Sequence, residues 1–160
     1  MKSAATIGLL LFLATSPTAA EDVKPAVNAA FTVYTSILET EAIIDMCRNT
    51  DTADAASYDG VYEQYEDEIS QTVIRIGLLV GQEFRRAGVD ERGIWKALDA
   101  LSNLALQTSE RMARLDPQRF VLECKALPTA ILTKTKPFEP IATKFPQEIE
   151  IIEAALKKKA

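Results

Sequence analysis

The stretch from Tyr58 to Phe84 reads YDGVYEQYEDEISQTVIRIGLLVGQEF, and the spacing of its apolar residues decides the fold class. These residues recur at steps of three and four, so they fall on one stripe of a 3.6-residue repeat. They are Tyr58, Val61, Tyr62, Tyr65, Ile69, Val73, Ile76, Val80 and Phe84. The stripe predicts a long amphipathic helix that ends at Gly88 and packs one face against other helices.

The flanking segments have the same helical period, and no stretch alternates as a strand would. A first helix is predicted from Pro25 to about Cys47. A third begins near Asp90, and its apolar stripe includes Leu101, Ala105, Met112 and Leu115, which we expect to face the bundle. A fourth opens with Asp116 and Pro117, and Pro128 weakens or stops it. The sequence therefore predicts an all-α fold, a four-helix up-down bundle-like domain, continued by an extended arm over 133–145 and a short terminal helix over 146–158.

Residues 1–20, MKSAATIGLLLFLATSPTAA, have the pattern of a secretory signal peptide. One lysine precedes a short apolar run, and Thr18 and Ala20 are the small residues expected before a cleavage site at Glu21. We expect cleavage near Ala20, a single helical domain over 21–160, no permanent membrane span, and a periplasmic or otherwise secreted protein.

The chain has two cysteines, Cys47 and Cys124, which both fall on apolar helical stripes. In an oxidising compartment an even count favours pairing, and a separation of 77 residues is unlike a redox-active C-x-x-C motif. We therefore predict one disulfide that ties the first helix to the fourth. In the chain-entropy model, closing a loop of this length stabilises by roughly 4 kcal/mol.

Composition excludes several function classes. The chain has no histidine, so it lacks the commonest general base and transition-metal ligand. We expect no catalytic residue, no metal and no cofactor, and interpret the protein as a non-enzyme. Its sequence pI of about 4.9 also disfavours nucleic acid as a partner, because phosphate binding needs a net basic surface.

Charge is divided unequally along the chain. Residues 21–74 contain 12 acidic and 2 basic residues, whereas residues 75–160 contain 11 acidic and 15 basic ones. Either the acidic first part packs against the basic second part, which would cancel the field, or the acidic part presents a face to a basic partner. The sequence leaves both interpretations open.

The acidic part includes a cluster of tyrosines and carboxylates that we regard as a candidate partner-binding face. Tyrosine combines a large apolar ring with a polar hydroxyl, which suits an interface. The same spacing would equally place the rings in the core. The candidate residues are Tyr58, Tyr62, Glu63, Tyr65, Glu66 and Asp67.

Two glycines, Gly77 and Gly81, lie four residues apart within the predicted second helix. Glycine is unfavourable in a helix interior, so we expect a packing reason, namely close approach of another helix within the bundle. A ligand crevice or a helix kink at this point is the alternative.

These observations favour a non-enzymatic interaction module of the periplasm, such as a chaperone, an inhibitor or an accessory of an envelope complex. Its partner would be another protein with a basic surface, bound by the acidic face or by the arm and terminal helix. The alternative is a bundle that binds a small apolar ligand between its helices, with access at the glycines and tyrosines. The sequence does not determine an oligomeric state.

Overall fold

The computed structural model describes residues 20–50, 55–88, 90–136 and 138–157. These residues form six helices and no strand, which confirms the all-α, bundle-like prediction. The helices are α1 Ala20–Thr50, α2 Ala55–Arg86, α3 Glu91–Leu115, α4 Pro117–Leu132, α5 Ile141–Lys144 and α6 Pro146–Lys157. Of the predicted signal sequence, residues 1–19 lie outside the described residues.

Helix α1 lies in the middle of the bundle and packs against α2, α3, α4 and α6. Its buried side chains near the N-terminus are small, including Ala26, Ala29 and Ala30, and larger ones follow at Ile37 and Ile44. Small side chains permit close approach of the neighbouring helices, and the larger ones fill the wider space toward the other end. The core is thus built around α1.

Local signals fix several helix ends. Gly88, with φ +74°, follows α2 in the left-handed conformation that glycine adopts without strain. Asp90 and Asp116 are N-caps, because the side chain of each accepts a hydrogen bond from the backbone N–H three residues later, at 2.8 and 3.0 Å respectively. The starts predicted near Asp90 and Pro117 are therefore confirmed.

Two proline-based boundaries were wrong. Helix α1 begins at Ala20 and contains Pro25 rather than starting with it. Helix α4 continues through Pro128 to Leu132. Proline at 128 has no N–H for the carbonyl of Cys124, its usual i−4 acceptor. The buried hydroxyl of Tyr58 donates to that carbonyl oxygen at 3.0 Å instead, so the helix passes the proline without leaving an orphaned acceptor.

The predicted disulfide joins Cys47 in α1 to Cys124 in α4, with a Cα–Cα distance of 5.1 Å. Each of the two residues is only 1% exposed, and both belong to the main core cluster. Since Tyr58 of α2 hydrogen-bonds the backbone at Cys124, three helices are tied together at this point.

Helix α3 is less covered than its sequence suggested. Ala105 and Ser109 are buried, whereas Met112 and Leu115, predicted to face the bundle, are 47% and 75% exposed. The apolar stripe of α3 is broad, and α1 covers only one side of it. The helix therefore packs on α1 largely through small residues.

The segment predicted as an extended arm contains the single helical turn α5. Phe138 and Phe145 pack against the core cluster, and Nζ of Lys144 donates to Oγ of Ser36 in α1 at 2.9 Å. The arm thus lies against the bundle, and α6 follows it directly and packs on α1 and α2.

The close packing within the bundle that was predicted for Gly77 and Gly81 is not found among the described helices. Gly77 is exposed, and a Cβ built there meets no atom within 4 Å. A Cβ at Gly81 meets only the guanidinium of Arg85, on the same helix, at 3.8 Å. Among the residues that the structure describes, no second helix and no crevice uses the space above these glycines.

Candidate functional site

A solvent-open groove of about 430 Å³ lies between α1, α2 and α3. Its walls combine carboxylates with apolar and aromatic side chains, and the buried residues Ile44 and Tyr58 form part of its lining. We call it the acidic groove. Its lining residues are Leu38, Glu41, Ala42, Ile44, Asp45 and Arg48 of α1, Tyr58, Asp59 and Tyr62 of α2, and Ser102 of α3.

Electrostatic repulsion is concentrated at one part of the acidic groove. Partial burial, together with the nearby carboxylate of Glu66, raises the pKa of Glu41 above its ordinary value. Burial, the negative charge of Glu41 and a hydrogen bond to Glu66 raise the pKa of Tyr62 to about 12. The phenol is protonated at neutral pH, as any tyrosine is, and the hydrogen bond to Glu66 and the charge of Glu41 extend this to higher pH, while the carboxyl groups of Glu41 and Glu66 repel each other.

One basic residue, Arg48, lies in the groove lining. Its Nε is 3.1 Å from an oxygen of Asp59, and both side chains are about half exposed. Glu41 and Asp45 have no ion-pair partner among the described residues. An added cation in the groove would therefore meet two carboxylates that the chain itself leaves uncompensated.

The structure separates the three candidate tyrosines. Tyr58 is 1% exposed and acts as a core residue that donates to Cys124. Tyr65 is also buried, next to Thr40, and its hydroxyl does not reach regular hydrogen-bond geometry with any described residue. Tyr62 is the one whose ring and hydroxyl lie at the acidic groove with partial exposure. A common binding face for all three tyrosines is therefore wrong.

The candidate carboxylates are separated in the same way. Glu66 is exposed and lies beside Tyr62 and Glu41 at the edge of the acidic groove. Glu63 and Asp67 are exposed too, and like Glu66 they are not among the lining residues of the groove. Of the six sequence candidates, Tyr58 and Tyr62 belong to the groove lining, and Glu66 lies outside that lining but close to Tyr62 and Glu41.

Sequence reasoning missed the contribution of α1, which supplies Glu41 and Asp45. These residues are four apart and lie on one side of the helix, just before Cys47. The sequence did contain an indication of this acidic surface, because two acids one turn apart flank otherwise apolar positions of the helix. The disulfide to α4 on the other side of α1 leaves their side free for the groove.

The ion pairs show how the unequal charge is arranged. Of the six ion pairs found between described residues, only that of Lys134 and Glu68, at 2.9 Å, joins an acid of residues 21–74 to a base of residues 75–160. Three others lie within single helices, as i,i+3 or i,i+4 pairs. In the described part of the chain, the basic second part thus provides little direct pairing for the acidic first part.

No group of three or more metal-binding side chains is found among the described residues. None of the helices described is both long and apolar enough to cross a membrane. No family model, no curated protein and no solved structure matches the chain.

Proposed function

We propose that the protein is a secreted or periplasmic interaction module whose acidic groove binds a basic segment of another protein. The observation that carries this proposal is the absence, among the described residues, of cations paired with Glu41 and Asp45 in the groove lining. Glu41 is partly buried beside the carboxylate of Glu66, which disfavours its charged form, whereas Asp45 is exposed one turn away. A bound cation would stabilise the charged form of Glu41 and remove that cost.

The lining of the groove suits a lysine or arginine side chain. The aliphatic stem of such a side chain would lie against Leu38 and Ala42, and its charged end would meet Glu41 and Asp45. Tyr62 at the groove offers a ring face to a cation, and its hydroxyl oxygen, whose proton is directed to Glu66, can accept a hydrogen bond from a backbone N–H. Apolar contact and charge would thus be satisfied by the same ligand.

The alternative function, binding of a small apolar ligand between helices, gains no support from this geometry. The groove is open to solvent, and three carboxylates, Glu41, Asp45 and Asp59, lie among its apolar lining residues, whereas apolar ligands bind in enclosed pockets with few charged groups. A basic segment accounts for the carboxylates as well as for the apolar wall.

The test compares two double variants with the same change in net charge. Glu41→Lys with Asp45→Lys reverses charge in the groove, and Glu123→Lys with Glu150→Lys reverses it at two exposed carboxylates outside the groove lining. A fluorescent oligolysine peptide of about ten residues is the probe, titrated at low and high salt. We expect the groove variant to lose binding by more than tenfold relative to the matched control.

If both double variants weaken the peptide equally, binding reflects net charge alone and the acidic groove is not a site. Because exposed charges contribute little to stability, thermal unfolding of the control should match that of the wild type. Capture from envelope extracts on the wild type and on the groove variant would then identify the physiological partner as a protein bound by the former and not by the latter.

A further inference from the structure

The outward face of α2, opposite its buried side, carries apolar residues that nothing in the described structure covers. Ile74 and Leu78 are 54% and 52% exposed and lie one turn apart. Asp67 precedes them by two turns and Arg85 follows them by two turns, so all four lie on one face of the helix. The acidic groove is lined by other α2 residues, so the two surfaces are distinct.

The two glycines lie on this same outward face. Gly77 and Gly81 are unfavourable in a helix interior, and no residue of another described helix packs into the space they leave open; only the guanidinium of Arg85, on the same helix, lies near Gly81. Without side chains, they expose the backbone of α2 beside Ile74 and Leu78, which lets a second helix come closer than a usual contact permits. The face is therefore shaped for a helix outside this chain.

The order of the residues on this face indicates which helix that is. Asp67, Ile74, Leu78 and Arg85 are separated by seven, four and seven residues, so the pattern is symmetric about position 76. Reversing the direction of the helix about position 76 therefore exchanges Ile74 with Leu78 and Asp67 with Arg85. Two copies of this helix that run antiparallel would therefore bring Ile74 of each against Leu78 of the other.

The same arrangement pairs the charges. Asp67 and Arg85 each lie nine residues, or about 13.5 Å at 1.5 Å per residue, from the midpoint. Asp67 of one copy would thus meet Arg85 of the second copy, twice by symmetry. Neither residue has an ion-pair partner among the described residues. Arg85 is already held on this face, because its Nε donates to the carbonyl of Gly81 at 3.1 Å.

We propose that the protein forms a two-fold symmetric dimer in which the outward face of α2 packs antiparallel on the same face of a second copy. A single helix pair buries less area than the roughly 1,200–2,000 Å² of a stable interface, so the dimer is weak and reversible. Each dimer would display two acidic grooves, which strengthens binding to a partner with repeated basic segments.

Sedimentation equilibrium over about 1 to 500 µM protein tests this proposal. We expect the wild type to dimerise in the micromolar range and Leu78→Glu to remain a monomer with unchanged helical circular dichroism. The matched control is Leu122→Glu, at a leucine of α4 that is 68% exposed, and it should dimerise as the wild type does. A wild type that stays monomeric throughout the range, or a Leu78→Glu variant that still dimerises, overturns the proposal.

Charge reversal tests the antiparallel register. Asp67→Arg and Arg85→Asp should each weaken dimerisation by about tenfold, since two symmetric contacts become repulsive at once. The double variant restores both pairs with reversed sign and should return to near wild-type affinity. If the double variant dimerises no better than the single ones, the register proposed here is wrong.

The variant Gly77→Leu distinguishes an effect on dimer affinity from an effect on the stability of the monomer. Replacement of an exposed helical glycine should raise the melting temperature of the monomer, whereas the added side chain should hinder close approach and weaken the dimer. Should this variant dimerise as tightly as the wild type, the glycines do not serve the interface.

Discussion

Replacement of Tyr58 by phenylalanine tests how α4 passes through Pro128. The Tyr58 hydroxyl donates to the carbonyl of Cys124, which is the carbonyl that proline leaves without a helical donor. Tyr58 is 1% exposed, so water cannot take over the lost hydrogen bond. An unsatisfied buried acceptor costs about 1–3 kcal/mol. For a chain of this size, a loss of about 2 kcal/mol lowers the melting temperature by roughly 4–8 °C.

The cause is isolated by a double-mutant cycle with Pro128→Ala. Alanine supplies an N–H at 128, so in that background the helix itself satisfies Cys124 and Tyr58→Phe should cost less than about 0.5 kcal/mol. Urea unfolding monitored by circular dichroism gives all four free energies. Tyr65→Phe is the matched control, because its buried hydroxyl makes no regular hydrogen bond and its removal should be neutral or stabilising. An equal cost of Tyr58→Phe in both backgrounds would refute the reasoning.

Three further predictions concern the disulfide, the groove and the leader. Cys47→Ala with Cys124→Ala should lower the free energy of unfolding by about 2–4 kcal/mol in urea titrations yet keep the helical spectrum, and full loss of helix would show that the core depends on the bridge. Burial raises the pKa of Glu41 above its ordinary value of 4.5, so the folded state holds this proton to higher pH than the unfolded chain. Stability should therefore fall as pH rises from about 4.5 through the raised pKa, and Glu41→Gln should flatten that fall in melting curves; an unchanged pH profile contradicts this. Intact mass of exported protein should begin at Glu21 or within two residues of it, and retention of Met1 would disprove cleavage.

The sequence was sufficient for the helices and their connections because the 3.6-residue repeat and the capping residues act locally. Asp90, Gly88 and the Asp116–Pro117 pair each specify a helix end through neighbouring backbone groups. Pro128 was misjudged because the group that replaces its missing N–H, the hydroxyl of Tyr58, is 70 residues away in the sequence. A local rule cannot include such a partner.

The binding-site prediction was limited for a related reason. Periodicity places a residue on a helix face, but the neighbouring helices determine whether that face is core, groove or surface. Tyr58 and Tyr62 are one turn apart, yet one is buried under Cys124 and the other lies beside Glu66 at the groove. The contribution of Glu41 depends on how α1 meets α2, which no single-segment pattern contains.

The energetics of Glu41 and Glu66 favour a functional origin for the acidic groove. Partial burial of Glu41 and repulsion by the carboxylate of Glu66 raise the pKa of Glu41. The folded state is therefore less stable at neutral pH than it would be with a neutral side chain at this position. Such a cost commonly persists where a ligand offsets it. Other acids of the chain, such as Glu110 and Glu123, are paired by an arginine one turn away. Among the described residues Glu41 has no such arginine. We therefore interpret its uncompensated charge as the group that binds a cation of the basic partner.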